Sequence, residues 1–142
     1  MIEQLTKRWE TTLAEYGYGW PEQPPALGLD HRPAALCYVR SNGRVLLLQR
    51  ERPPFAGRWT APGGKLRADE TPLDAVRREI REETGLVIAD PSLRMIVVES
   101  GPTPLLNWLL FVFATNEFHG TLRQGAEGPL RWVQEDDLHC IG

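Results

Sequence analysis

Apolar residues recur at every third or fourth position at the start of the chain. Ile2, Leu5, Trp9, Leu13 and Tyr16 share one helical face, and Gly17 stands where a helix would stop. This spacing predicts an amphipathic helix over residues 2–16. The stretch WPEQPPALGLDHRP breaks the period, and its prolines predict an extended connector over the surface, a lid or a strap. Next, AALCYVR and RVLLLQR flank Ser41-Asn42-Gly43; Asn-Gly is tight-turn chemistry, so an antiparallel hairpin is expected. PPFAGRWTAPGG, dominated by Gly and Pro, reads as a loop. Farther on, LRMIVVES and NWLLFVFAT read as strands, and LRWV as a shorter one. Gln134 to Leu138 resembles the first turn of a helix with no room to finish before Gly142. The sum is a sheet with few helices, and the N-terminal helix is expected to cover the face that a C-terminal helix would otherwise take.

Between these strands, Thr71-Pro72-Leu73-Asp74 carries the signs of a helix start. Thr71 can cap, Pro72 suits the first helical position, and Asp74 favours the positive end of the helix dipole. A helix is predicted from about residue 72 to Thr84, with Gly85 as its stop. Leu73, Val76 and Ile80 share a flank that can bury against the sheet. Glu79, Glu82 and Glu83 share the adjacent, exposed face, where like charges three and four residues apart repel unless something positive faces them. Arg77, Arg78 and Arg81 could supply that charge as a solvated, salt-bridged surface.

Composition narrows the classes. The 142 residues suit a single domain over residues 1–142, with helix and connector in 1–32 and the core in 33–142. With 42% hydrophobic and 25% charged residues, the chain falls among globular proteins rather than disordered or membrane ones. A net charge of −3 without a Lys/Arg run argues against a long nucleic acid partner. Apolar runs such as Trp108 to Ala114 are too short to span a bilayer, and Met1-Ile2-Glu3-Gln4 lacks the basic start of a secretion signal, so a cytoplasmic location is expected. Cys37 and Cys140 have neither metal-ligand spacing nor a disulfide framework; they read as a strand thiol and a tail thiol.

Pro62-Gly63-Gly64-Lys65 reads as a tight turn whose backbone can approach a ligand, with one cation suited to phosphate. Beside three carboxylates on a helix face, it describes a site for a hard cation bridging to phosphate oxygens. Gly64, Glu70, Arg78, Glu79, Ile80, Glu82, Glu83, Gly85 and Leu86 then match every defined position of the Nudix box, and PPFAGRWTAPGG resembles the common lead-in to it. The chain is thus similar to Nudix proteins over about residues 33–138.

That resemblance implies an α/β fold, an α/β/α sandwich around a mixed β-sheet, and Mg²⁺-dependent hydrolysis of a nucleoside diphosphate linked to another group, with Mn²⁺ as a substitute ion. By position in the motif, Glu79, Glu82 and Glu83 resemble the metal-binding carboxylates, and the Gly63 carbonyl is a further candidate ligand. Arg78 and Glu70 resemble an ion pair that holds Glu79, and Lys65 is placed to meet phosphate. The general base in such proteins is a box glutamate or a later loop carboxylate. Glu79 is the first candidate; Glu127 resembles the extra loop glutamate, with Glu99 and Glu117 as competitors.

Aromatic rings can hold a base by stacking, and Phe55, Trp59, Trp108 and Trp132 are candidates, with core packing the plainer alternative for each. Trp108 is the preferred substrate contact, whereas Trp59 matches the lead-in tryptophan expected to pack under the loop. His31, His119 and His139 are isolated and read as surface or hydrogen-bonded side chains, and Glu135-Asp136-Asp137 as a helix start.

Three functions fit. The first is a (d)NTP pyrophosphohydrolase releasing a nucleoside monophosphate and pyrophosphate. The second is a pyrophosphatase of ADP-ribose, dinucleotides or nucleotide sugars, for which Pro102 and Pro104 are a weak sign. The third is a nucleotide-binding sensor without turnover. The expected partner is a small nucleotide, and the chain is expected to be a monomer or a homodimer.

Overall fold

A computed structural model describes residues 31–53, 55–101, 106–125 and 127–140. The proposed N-terminal helix, most of the connector, and the Pro102 and Pro104 sign lie outside the described residues. The hairpin forms as its sequence predicts. Strands β1 (Arg32–Ser41) and β2 (Arg44–Gln49) pair antiparallel through Ser41↔Arg44. Asn42 (φ 50°) and Gly43 (φ 72°) both take the left-handed conformation that this two-residue turn requires.

Beyond β2 come β3 (Trp59–Thr60), β4 (Gly63–Lys65), helix α1 (Pro72–Thr84), β5 (Val87–Ile88), β6 (Ser92–Glu99), β7 (Trp108–Thr115), β8 (Phe118–His119) and β9 (Leu130–Gln134). A 3₁₀ helix (Glu135–Cys140) follows where the sequence suggests a first helical turn. The main sheet has the order β3-β2-β1-β7-β6, with β9 also on β2 and β4 also on β1. It is mixed: β1 and β7 run parallel from Arg32↔Trp108 to Val39↔Thr115, whereas the other pairings are antiparallel. Strands β5 and β8 form a small second sheet.

One edge of β1 is divided between two partners. Its early residues pair with β4, Ala34↔Lys65 and Leu36↔Gly63, whereas its end pairs with β2. The PGGK stretch is therefore a short strand rather than the tight turn expected. The correction has a physical cause: β1 offers unpaired backbone groups there, and extended glycines can satisfy them. A Cβ on Gly63 would lie 2.1 Å from the Ala35 carbonyl oxygen, so only glycine permits the approach.

Helix α1 packs on this sheet. Thr71 caps it in a reciprocal arrangement: the Asp74 amide donates to Thr71 Oγ1 at 3.2 Å, and the Thr71 amide donates to the Asp74 carboxylate at 3.1 Å. Gly85, at φ 78°, ends the helix as its sequence predicts. Val76 and Ile80 are fully buried against Ala35, Cys37 and Phe113, and Leu73 packs partly buried beside them. Each large aliphatic side chain buried this way stabilises the fold by roughly 1.5–3 kcal/mol. Cys37 is a buried strand thiol whose pKa burial pushes up to about 12, and Cys140 is exposed. At the opposite edge, β6 leaves Leu93, Met95, Ile96 and Val98 exposed. Among the described residues, no helix is long and apolar enough to cross a membrane.

Candidate active site

Burying one side of α1 fixes where its carboxylates can go. Arg78 does most of the charge pairing expected of the three helix arginines. It forms a two-point ion pair with Glu70, including Nη2 to Glu70 Oε2 at 2.9 Å. Its Nη1 donates to Glu79 Oε1 at 2.6 Å and to Glu82 Oε2 at 3.2 Å, and Nη2 reaches the Lys65 carbonyl at 3.1 Å. Arg78 thereby ties the loop before the helix, the helix face and β4 together. The Arg78 guanidinium, and then the Arg67 amide, hold the Glu70 pKa down at about 2, and the Glu70 carboxylate in turn pushes Arg78 further up. Charge-assisted bonds of this kind are roughly twice as strong as neutral ones.

The Gly64 backbone lies against Glu79. A Cβ there would meet the Glu79 carboxyl carbon at 2.6 Å, so glycine leaves the room that the carboxylate occupies. Glu83 behaves differently from its neighbours. It is half-buried rather than on the exposed face expected from the helix wheel, and the Gly63 amide donates to its Oε2 at 2.9 Å. Burial, with the Glu79 and Glu127 charges adding to it, pushes its pKa up to about 8, against the Gly63 amide and Arg50, which pull it down. Glu82, by contrast, has a side chain 51% exposed.

A cavity of about 530 Å³ opens over β1, walled by residues of β2, β4, α1, β6 and β7. Gly63, Lys65, Glu79, Glu83, Trp108 and Glu127 all line it, which brings most of the sequence-predicted site together. Glu70, Arg78 and Glu82 do not line it; Arg78 bonds Glu79 of the wall, and Glu70 bonds Arg78. Of the competing carboxylates, Glu99 lines the cavity and Glu117 does not. Glu117 lies past the end of β7, where its carbonyl accepts from Thr115 Oγ1 at 3.2 Å. Phe55 and Trp108 are the candidate rings in the cavity wall. The Arg131 guanidinium lies over the Trp59 ring, 5.7 Å from its centre, and Trp132 stacks on Phe118 at 5.7 Å.

Arg32, Arg50 and Arg52 also line the cavity, and sequence reasoning missed them. Nothing local marks them: Arg32 opens β1, whereas Arg50 and Arg52 lie in the segment after β2, and only the tertiary fold brings the three to one wall. Arg32 lies 4.4 Å over the Trp108 ring, and Lys65 lies 5.9 Å from the same ring.

The donor set fits a hard divalent cation. Glu79, Glu83 and Glu127 line the same cavity, and carboxylate oxygens are the donors such an ion takes; the Glu83 carboxyl is pushed up mainly by burial, with the Glu79 and Glu127 charges adding to it. Among the described residues, no three acidic, histidine or cysteine side chains already converge as a finished metal-holding group. Instead Glu79 and Glu82 turn onto Arg78, and Glu83 onto the Gly63 amide.

Comparison with known proteins gives a consistent setting. A model of the NUDIX domain matches residues 30–141. A Mycobacterium tuberculosis protein named "Putative 8-oxo-dGTP diphosphatase 2" is 57% identical over 102 residues, covering 68% of this chain and 69% of that protein. The Bacillus subtilis protein YvcI, named an uncharacterized Nudix hydrolase, is 35% identical over 109 residues, covering 74% of this chain and 67% of its own length. The crystal structure of a MutT NUDIX hydrolase from Burkholderia pseudomallei superposes with a TM-score of 0.73 at 32% identity, covering 77% of this chain and 87% of that one.

Proposed function

The chain belongs to the Nudix hydrolase family, and from that premise we propose that it cleaves nucleoside triphosphates to a nucleoside monophosphate and pyrophosphate, using Mg²⁺ or, in its place, Mn²⁺. The observation that carries this reading is the cavity itself, which joins carboxylates Glu79 and Glu83 to the Lys65 cation and the Trp108 ring. Those are the three chemistries that a metal-bound, phosphorylated, aromatic substrate requires. The name of the Mycobacterium tuberculosis relative favours an oxidised dGTP among the candidate substrates.

Glu79, Glu82 and Glu83, with the Gly63 carbonyl, are the residues that would hold the cation, whose chemistry is to neutralise phosphate charge and acidify a water. The chain's own groups do the rest. Arg78 fixes Glu79 Oε1, which leaves Oε2 to take the proton of the attacking water. Glu70 keeps Arg78 in place through their two-point ion pair. The Gly63 amide orients Glu83, and the Lys65 ammonium meets the phosphate chain. Glu127, facing the same end, is a second acid for proton transfer or cation binding. Trp108 supplies a face on which the base stacks.

Product analysis by chromatography tests this. Purified protein with Mg²⁺ is offered (d)NTPs, oxidised dGTP, ADP-ribose, dinucleoside polyphosphates and nucleotide sugars. Nucleoside monophosphate with pyrophosphate is the expected product. AMP with a sugar phosphate from ADP-ribose alone would overturn the triphosphate reading, and binding without any product would make the protein a sensor.

A further inference from the structure

The cavity has a second end that the hydrolytic chemistry does not use. Along β1 its wall runs from Leu36, beside Gly63 and Glu83, through Ala34, beside Lys65, to Arg32, beside Trp108. Four residues of strand separate the first row from the last, about 13 Å at about 3.3 Å per residue. That span suits a nucleotide lying with its phosphates at the carboxylates and its base on Trp108. One strand farther out, Glu99 is the register partner of Trp108 and lines the same cavity. The base end thus has an aromatic ring, the Arg32 guanidinium stacked on it, and one carboxylate beside it.

We infer that Glu99 reads the base and selects guanine. This rests on the nucleotide reading of the cavity given above. A carboxylate only accepts hydrogen bonds. The pairing edge of guanine presents two adjacent donors, N1–H and the N2 amino group, next to the O6 acceptor. Glu99 matches the donors, and Arg32, already over one face of the Trp108 ring, leaves the base to stack on the other. Adenine presents an N1 lone pair where guanine has a donor, so the same carboxylate repels it. Oxidation of guanine at C8 leaves this edge unchanged, so the intact and the oxidised base are both admitted. A site that hydrogen-bonds its ligand discriminates more sharply than an apolar pocket, because a mismatched base leaves polar groups unpaired.

Two readouts test the inference, with Glu99→Ala and Glu99→Gln beside the wild type. Calorimetry measures binding of dGMP and dAMP without turnover, and steady-state kinetics with Mg²⁺ measures dGTP and dATP. The wild type should prefer guanine at least tenfold in both. Glu99→Ala should erase most of that preference by raising the dGTP KM and lowering the dATP KM, leaving kcat within about threefold for both; Glu99→Gln, which keeps one acceptor, should fall between. If triphosphates are hydrolysed without base preference, or the preference survives Glu99→Ala, the inference is overturned and the hydrolase reading stands. If no triphosphate is hydrolysed but dGMP still binds more tightly than dAMP through Glu99, the triphosphate reading fails and the base reader stands. Equal binding of dGMP and dAMP to the wild type overturns it as well.

Discussion

Raising the pH of the metal-free protein should cost it stability, and Glu83 should be the residue responsible. Its carboxyl is half-buried between Glu79 and Glu127, and its pKa rises from 4.5 to about 8. An acid with a raised folded-state pKa keeps its proton in the folded chain at pH values where the unfolded chain has released it. Its contribution is therefore fully present below about pH 4.5 and is lost as pH climbs through about 8. Each unit of pKa difference between the two states is worth about 1.4 kcal/mol, so the ceiling over this window is about 5 kcal/mol. The cavity is open to water, which solvates part of the charge. Half the ceiling, about 2–3 kcal/mol, is the expected loss, equivalent to roughly 10 °C in melting temperature for a chain of this size.

The assay is thermal melting followed by circular dichroism in EDTA at about pH 5.5, 7 and 8.5, on the wild type and Glu83→Gln. Glutamine keeps an acceptor for the Gly63 amide and removes the charge. The wild type should lose melting temperature with pH, whereas the variant should stay nearly flat and melt higher at the alkaline end. Saturating Mg²⁺ should restore the wild type at the alkaline end, since a ligand that binds only the folded state stabilises it, and should do little for the variant. Equal falls in both proteins would refute the reasoning, because the lost stability would then belong to other groups.

Further predictions concern the groups around that site. Arg78→Ala removes the shared partner of Glu70, Glu79 and Glu82; kcat should fall about 10–100-fold in a steady-state assay, and Arg78→Lys should rescue little, lacking the two-point fork. Gly64→Ala puts a methyl group 2.6 Å from the Glu79 carboxyl carbon, so kcat should drop by at least tenfold, and a wild-type rate would mean that Glu79 needs no fixed position. Glu127→Gln should slow turnover strongly while changing the melting temperature by only a few degrees, because the residue is exposed in a loop. An unchanged rate would return Glu127 to the role of a solvated loop acid.

The elements that followed from local rules were legible in the sequence. Asn42-Gly43 requires its turn, Thr71 and Gly85 bracket α1, and Val76 and Ile80 mark its buried side. All of these signals lie within a few residues of what they control. The strands β3, β5 and β8, of two residues each, carried no such signal, since each exists only because a partner edge runs beside it. The same distinction divides the site. A helix wheel can gather Glu79, Glu82 and Glu83, but it cannot tell that β4 covers one side of the group. Glu83 is therefore half-buried on the Gly63 amide while its chain neighbour Glu82 stays exposed. Arg32, Glu99 and Trp108 are farther still from local rules, for they meet only where the parallel pairing of β1 with β7 and the antiparallel pairing of β7 with β6 coincide. The hydrolytic end of the cavity comes largely from one continuous stretch, Gly63 to Glu83, and a motif can encode it. The base end is assembled from three strands, so residues there can change without touching the motif, and specificity can vary while the chemistry stays the same.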